Sequence, residues 1–301
     1  MKLNTLQRIG RMHWLRGRDR ILRAFSNPDR QQPVLFETDF FGLPYSGYMD
    51  NFIDWTVFYY GAFSVNELQL LAALAAGLRA RGKPVNFYDV GANVGHHSLF
   101  MSRHAEHIFA FEPFAKVRSE MERKFNHAGV HNATVFPVAL GSHGGVAAFH
   151  PPTGSNQGTG TLGEILPDNA SPDTIQVEVV RGDDFFAANR LPPISLLKID
   201  VEGFEANALE GMRETLWRDR PPILMEIQPE TGPGPCRSAR IEALLYPDHR
   251  LFEVGHSRGQ YTLRPFAKGN TEEALVLPIE LAGIIPGTAA HSVPPYGGSS
   301  S

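Results

Sequence analysis

From residue 85 onward the chain alternates short, nearly continuous apolar runs with stretches whose apolar residues recur at helical spacing. The runs span residues 85–90, 107–111, 134–140, 194–199 and 223–227. Their length and lack of a polar face fit strands covered on both sides. Residues 114–127 fall between the second and third runs and 205–217 between the fourth and fifth, both helical in period. Strand, helix and strand in this order predict βαβ units, and hence a parallel sheet with helices on both faces. Three later runs, 246–255, 261–264 and 274–277, resemble terminal antiparallel strands.

The expected fold class is therefore α/β: a Rossmann-like, doubly wound, mostly parallel sheet with antiparallel C-terminal strands and a helical and aromatic N-terminal extension. The extension covers residues 1–80. It holds a basic segment, an aromatic stretch over 36–60 and a helix over 65–81 with Leu68, Leu71, Leu74, Ala75 and Leu78 on one face. Arg81, Gly82, Lys83 and Pro84 stop that helix. The main domain is expected over 81–285 and a disordered tail over 286–301, where Pro, Gly and Ser prevail. Between the third and fourth runs lies a long excursion, 141–189, with a Gly- and Thr-rich run at 154–163 and a short β-like run at 175–180. Such an insertion reads either as a substrate loop or as a surface loop without a role.

Composition adds limits. With 301 residues, 42% hydrophobic and 20% charged, the chain can bury a full core. A formal net charge of −4 gives no overall pull toward nucleic acid or an anionic membrane. The first 30 residues differ, because they carry seven arginines and Lys2 against Asp19 and Asp29. That pattern fits an amphipathic helix meeting a membrane surface or an anionic partner, or a solvated arginine face on a docked helix. Cys236 is the single cysteine, so neither a disulfide framework nor a cysteine zinc site can form within the chain. The start has no signal-peptide run and no segment reaches the ~18 apolar residues of a membrane span, so the expected location is the cytoplasm. His127 and His131 have the closest metal-like spacing but are interrupted by Gly129, and no metal ligand is assigned.

The chemistry-bearing motifs sit at the ends of the predicted strands. Asp89-Val90-Gly91-Ala92-Asn93-Val94-Gly95 follows the first strand and precedes an apolar helix start. Gly91 permits a tight turn and close ligand approach, and Gly95 lets the helix close on the strand. The spacing is Gly-x-x-x-Gly, one glycine short of the dinucleotide pattern that makes room for a pyrophosphate. Glu112 ends the second strand, 21 positions after Gly91, at the spacing where an acid accepts hydrogen bonds from ribose hydroxyls; before Pro113 it also reads as a helix cap. Asp200 and Glu202, in Lys198-Ile199-Asp200-Val201-Glu202-Gly203, stand at the carboxyl end of the fourth strand. They suit a general base, a substrate holder or a divalent-cation site, whereas Asp200 as a helix cap and Lys198 and Glu205 as surface ion pairs are the structural readings. Glu226 near the end of the fifth strand needs a partner, and facing the cleft is one solution.

These residues resemble the FkbM-type methyltransferases, a branch of the class I S-adenosylmethionine-dependent enzymes. The resemblance rests on DVGANVG (89–95), FAFEP (109–113), the VALG run (138–141), LLKIDVEGFE (196–205) and ILMEIQP (223–229), together covering about residues 85–230; the aromatic segment 42–61 also looks like the front portion of bacterial members. It implies O-methylation of a hydroxyl on a sugar or polyketide-type small molecule or glycan. S-Adenosyl-L-methionine would be the cofactor, and its cationic groups suit an acid at Asp89. By the same resemblance Asp89, Gly91, Asn93 and Gly95 would hold its methionine part and Glu112 the ribose, with Ala92 and Pro113 as further cofactor contacts, and Asp200 would lie near the methyl; from their place at the strand end, Asp200 or Glu202 is expected to be the base for the hydroxyl or its positioner. Many class I enzymes place an acid after the third strand for the adenine amino group. Val138, Ala139, Leu140 and Gly141 are uncharged here, so adenine recognition is expected to fall to backbone groups that the sequence does not assign, with Ala139 and Leu140 among the cofactor contacts. The acceptor pocket is expected from the 36–60 stretch and the 154–163 loop. Three rivals remain: a nicotinamide-dependent oxidoreductase, disfavoured by the missing glycine; a non-catalytic binding protein of the same fold; and a nucleic-acid methyltransferase, disfavoured by the net charge.

Overall fold

The computed structural model describes residues 4–12, 15–151, 161–163, 174–227, 237–257, 260–266, 273–286 and 288. Its centre is an eight-stranded sheet. From one edge the strands are Gln260–Pro265, His249–Ser257, Glu273–Pro278, Ile223–Glu226, Leu196–Ile199, Asn86–Val90, His107–Phe111 and Ala133–Phe136. The last five pair in parallel, and the first three attach through antiparallel pairings. The fold is thus the α/β, doubly wound, mostly parallel arrangement expected from the alternating pattern, with antiparallel C-terminal strands. All five residues of Asn86–Val90 and all four of Leu196–Ile199 are buried, which is why those runs lack a polar face.

Alternation along the Asn86–Val90 strand divides the interior into two layers. Phe87 joins a cluster with Leu99, Ile108 and the N-terminal residues Leu22, Phe40, Trp55 and Leu71, so the described part of the N-terminal extension covers one face of the sheet. Tyr88 and Val90 point into the other layer, with Phe111, Leu197, Ile199, Leu209 and Met225. The aromatic stretch is a hairpin, Leu35–Phe40 with Leu43–Tyr48, followed by helix Phe52–Tyr60. The Asn51 side chain caps this helix by accepting from the Ile53 and Asp54 amides. Asp54 is fully buried and accepts from Tyr45 Oη at 2.7 Å and the Tyr48 amide at 2.8 Å. It also pairs at 3.1 Å with the fully buried Lys124 of helix Ala115–Ala128, fastening the hairpin and helix to the sheet layer.

Two expected elements divide. The run 134–140 is not one strand: Ala133–Phe136 completes the sheet edge, and Ala139–Gly141 belongs to a second sheet. Pro137 stands between them, and a residue without an N–H cannot continue the ladder. The helix expected over 205–217 is broken into Glu205–Gly211 and Arg213–Asp219. A Cβ on Gly211 would fall on the carbonyl oxygen of Gly141, so the helix turns where two backbones touch. The excursion supplies the second, four-stranded sheet, ordered Ala139–Gly141, Ile175–Arg181, Gly145–His150 and Thr161–Gly163. Positions 154–160 of the Gly- and Thr-rich run, and the tail from 289 on, lie outside the described residues. Among the described residues no single helix is long and apolar enough to cross a membrane. The pair Phe52–Tyr60 and Val65–Ala80 passes together by composition, but it is bent by 82° and much of it lies in the core.

Candidate active site

The parallel strands end on one side in a cavity, as open α/β sheets dictate for their carboxyl ends. Gly91 leaves the first of them at φ +81°, and a Cβ there would fall on the carbonyl oxygen of Asp200. Only glycine allows the two strand ends to approach this closely. The Gly91 and Ala92 amides donate to the carbonyl of Phe111, at 3.0 and 3.1 Å, and so tie the turn to the second strand. Asn93 adopts φ +50° and its side chain accepts from the Val94 amide. Gly95, at φ +77°, starts helix His96–Met101, and a Cβ there would overlap the Met121 side chain of the next helix.

Glu112 is held by this turn. Its Oε2 accepts from the Asn93 amide and its Oε1 from the Phe114 amide, each at 2.8 Å. The carboxyl is buried, and that burial pushes its pKa up to about 7 against the opposing pull of the two amides. Glu112 therefore faces the cavity as an acceptor of fixed orientation with lone pairs to spare.

Across the cavity, the Asp200 carboxylate lies 2.9 Å from the Lys198 ammonium. Lys198 is almost fully buried; burial alone would pull its pKa down, but Asp200, Asp89 and Glu67 outweigh it and hold it above the ordinary lysine value. Glu202 stands on a left-handed residue, φ +50°, and burial, then Asp200 and Glu205, push its carboxyl up to about 7. Burial followed by Asp200 and Glu202 does the same to Glu226, also to about 7. One oxygen from each of Asp200, Glu202 and Glu226 lies within 4.8 Å of the others. Oxygen donors of this kind suit a hard divalent cation, or they share protons among themselves. Glu205 serves the loop instead, accepting from the Gly203 amide at 2.9 Å and so fixing the segment that carries Glu202.

Of the residues singled out in the sequence, Gly91, Asn93, Glu112, Pro113, Ala139, Leu140, Asp200 and Glu202 line this cavity. Ala92 and Gly95 shape the turn from behind the lining. Asp89 is also outside it, fully buried on the other face of its strand, with Oδ2 accepting from Ser98 Oγ at 2.7 Å. In register it lies opposite Lys198, so it bears on the cavity through that lysine. Glu226 belongs to an adjoining crevice with Glu67 and Glu273, reaching the site through Asp200. Sequence reasoning missed an apolar wall of Phe63, Phe114, Val117 and Phe149, with Ile53 coming from the aromatic stretch already suspected. Phe63 is set by His96, whose Nε2 lies 2.8 Å from its carbonyl oxygen; burial pushes the His96 pKa down to about 3, so the neutral ring donates there. These wall residues carry no motif of their own, and only their apolar character next to Pro113 or within 146–149 offered a signal.

Residues 89–258, more than half of the chain, match the family model described as "Methyltransferase FkbM domain". The chain belongs to the FkbM methyltransferase family. Among its relatives are the hexuronic acid methyltransferase AglP of Haloferax volcanii, 28% identical over 160 residues, which are 52% of this chain and 62% of that protein. The 31-O-demethyl-FK506 methyltransferase FkbM of Streptomyces tacrolimicus is 30% identical over 179 residues, covering 48% of this chain and 66% of that protein. The chain thus spans less than two thirds of the length of either relative. A solved structure of methyltransferase FkbM from Methylobacillus flagellatus KT aligns with a TM-score of 0.40 at 14% identity, covering 64% of this chain and 43% of that one. The FkbM match begins at Asp89 and takes in Gly91, Glu112, Asp200 and Glu202, but not Ile53 or Phe63.

Proposed function

We propose that this FkbM-family chain transfers a methyl group from S-adenosyl-L-methionine to a hydroxyl oxygen of a sugar or polyketide-type acceptor. The observation that carries the reading is Glu112: a carboxylate pinned by two amides at the end of the second strand, opening onto the same cavity as the Gly91 turn and Asp200. That is the geometry with which a strand-end acid accepts from a ribose diol. The tight contact of Gly91 with the Asp200 carbonyl leaves backbone rather than side chain facing the ligand, which fits a bulky zwitterionic cofactor. The relatives named above methylate a hexuronic acid and an FK506 precursor by their names, and both support a hydroxylated acceptor for this chain.

When bound, S-adenosylmethionine supplies an electrophilic methyl on a sulfonium. The protein's own part is alignment and proton management. Glu112 and the Gly91–Asn93 turn would hold the cofactor, and Ile53, Phe63, Phe114 and Phe149 would exclude water. Glu202, with its pKa near 7, is matched to accept the hydroxyl proton at neutral pH. Lys198 pairs with Asp200 at 2.9 Å and fixes its position, so that Asp200 orients the acceptor hydroxyl.

Calorimetric titration with S-adenosylhomocysteine and with NAD tests the cofactor. Binding of the first alone is expected, and tight NAD binding alone would overturn the reading in favour of an oxidoreductase. Labelled methyl transfer to a panel of hydroxylated sugars and polyketides, with and without a chelator, then tests the acceptor and any role of a cation at Asp200, Glu202 and Glu226.

A further inference from the structure

Helix Arg18–Phe25 has one side committed to the protein and another left to solvent. Leu22, fully buried, packs it down. The Arg18 guanidinium lies 4.9 Å from the Tyr60 ring centroid, and that of Arg23 lies 5.6 Å from those of both Phe52 and Trp55. Arg23 also pairs with Asp19 at 3.2 Å and Asp29 at 3.8 Å, so both acids of the segment are engaged on this side. At helical spacing the outward arc holds Arg20, Ile21, Ala24 and Phe25, all exposed. Phe25 is 74% exposed and Ile21, one turn earlier, 37%. Arg8, Arg16, Arg20 and Arg30 are exposed as well, and among the described residues none of them makes an ion pair.

We propose that this face docks on an anionic lipid bilayer, with Phe25 and Ile21 entering the boundary between headgroups and acyl chains and the free arginines meeting lipid phosphates. An apolar pair on a short helix, with the unpaired Arg20 on the same arc and with Asp19 and Asp29 both paired with Arg23, is what an interfacial anchor requires. A hydrated polyanion would use the arginines but gain nothing from Phe25. The chain's overall negative charge confines the attraction to this segment. Ser26, at the end of the helix, accepts from Trp55 Nε1 at 2.8 Å, and Trp55 shares a helix with the cavity residue Ile53. The docking face therefore stands one helix away from the cavity. The proposal is independent of which methyl acceptor the protein uses.

Co-sedimentation of the full chain with phosphatidylcholine vesicles, with and without phosphatidylglycerol, tests it. Binding is expected only to the anionic vesicles and should weaken with salt. Phe25→Ser should lower the partition coefficient about tenfold by removing an inserted ring, and Arg20→Glu about tenfold by reversing a charge at the surface. Both variants should keep the wild-type thermal midpoint and S-adenosylhomocysteine affinity, since neither side chain is buried. Absence of binding to anionic vesicles would overturn the proposal. So would vesicle binding that Phe25→Ser leaves unchanged, or heparin binding equally to both proteins without vesicle binding, which would assign the face to an acidic polymer.

Discussion

Replacing Glu112 with glutamine perturbs the proposed cofactor site at its best-defined point. Glutamine keeps the size and one acceptor oxygen but sets an NH2 group against one of the two amides, of Asn93 or Phe114, that the carboxylate now satisfies. Stability and binding should respond separately. In the free protein the Glu112 pKa is raised from 4.5 to about 7, which at 1.36 kcal/mol per tenfold change corresponds to about 3 kcal/mol. A raised carboxyl favours the folded state where the proton is still bound, so this stability is complete below pH 4.5 and is lost as pH rises to about 7. Urea unfolding at about pH 5 and about pH 8 should show that loss in the wild type and not in Glu112→Gln, the comparison at each pH cancelling the other carboxyls. In the complex, the carboxylate would accept two charge-assisted hydrogen bonds from the ribose, and losing their charge and one acceptor is expected to cost about 2–3 kcal/mol, or roughly 30- to 150-fold in S-adenosylhomocysteine affinity. Wild-type affinity should also fall as pH drops below about 7, where Glu112 takes up its proton. A folded Glu112→Gln protein that binds S-adenosylhomocysteine within about threefold of the wild type would refute the ribose assignment.

Other expectations follow from the same geometry. Gly91→Ala must place a Cβ on the Asp200 carbonyl at a left-handed residue, so its thermal midpoint should drop with a loss of about 2–4 kcal/mol, and an unchanged midpoint would contradict the close approach. Asp54→Asn leaves the buried Lys124 without its counter-ion and should cost about 3–5 kcal/mol in denaturant unfolding; adding Lys124→Met should restore most of it, and no recovery would mean the pair is not the cause. With Glu202 as proton acceptor, kcat should rise with pH through about 7 and then level off, and Glu202→Gln should lower the plateau and abolish the limb. Asp200→Asn should reduce turnover at least about 100-fold without unfolding the protein, and normal turnover would exclude it from the chemistry.

The parallel core was legible because strands buried on both faces leave an unmistakable run of apolar residues, as at 85–90 and 194–199, and because helices with one exposed face keep their period, as Ala115–Ala128 does. Strand-end carboxylates were legible for a related reason. An acid that ends an apolar run, like Glu112 or Asp200, has few places to be except at the mouth of the sheet. What stayed hidden depends on contacts between distant segments. Pro137 interrupts the ladder locally, but only the pairing of Ala139–Gly141 with Ile175–Arg181 sends the chain into a second sheet. Gly211 reads as a weak helix residue until Gly141 is found against it. The side of the strand on which Asp89 lies is set by strict alternation from Val90, yet which side holds the cavity depends on packing that no local pattern records.

The walls of the cavity come from two stretches of the chain. Glu112, Asp200 and Glu202 fall within the stretch shared with the FkbM family, whereas Ile53 and Phe63 precede it, on a unit that the buried Asp54–Lys124 pair attaches to the domain. Substitutions at Ile53 or Phe63 therefore reshape the apolar wall without touching the strand-end carboxylates Glu112, Asp200 and Glu202.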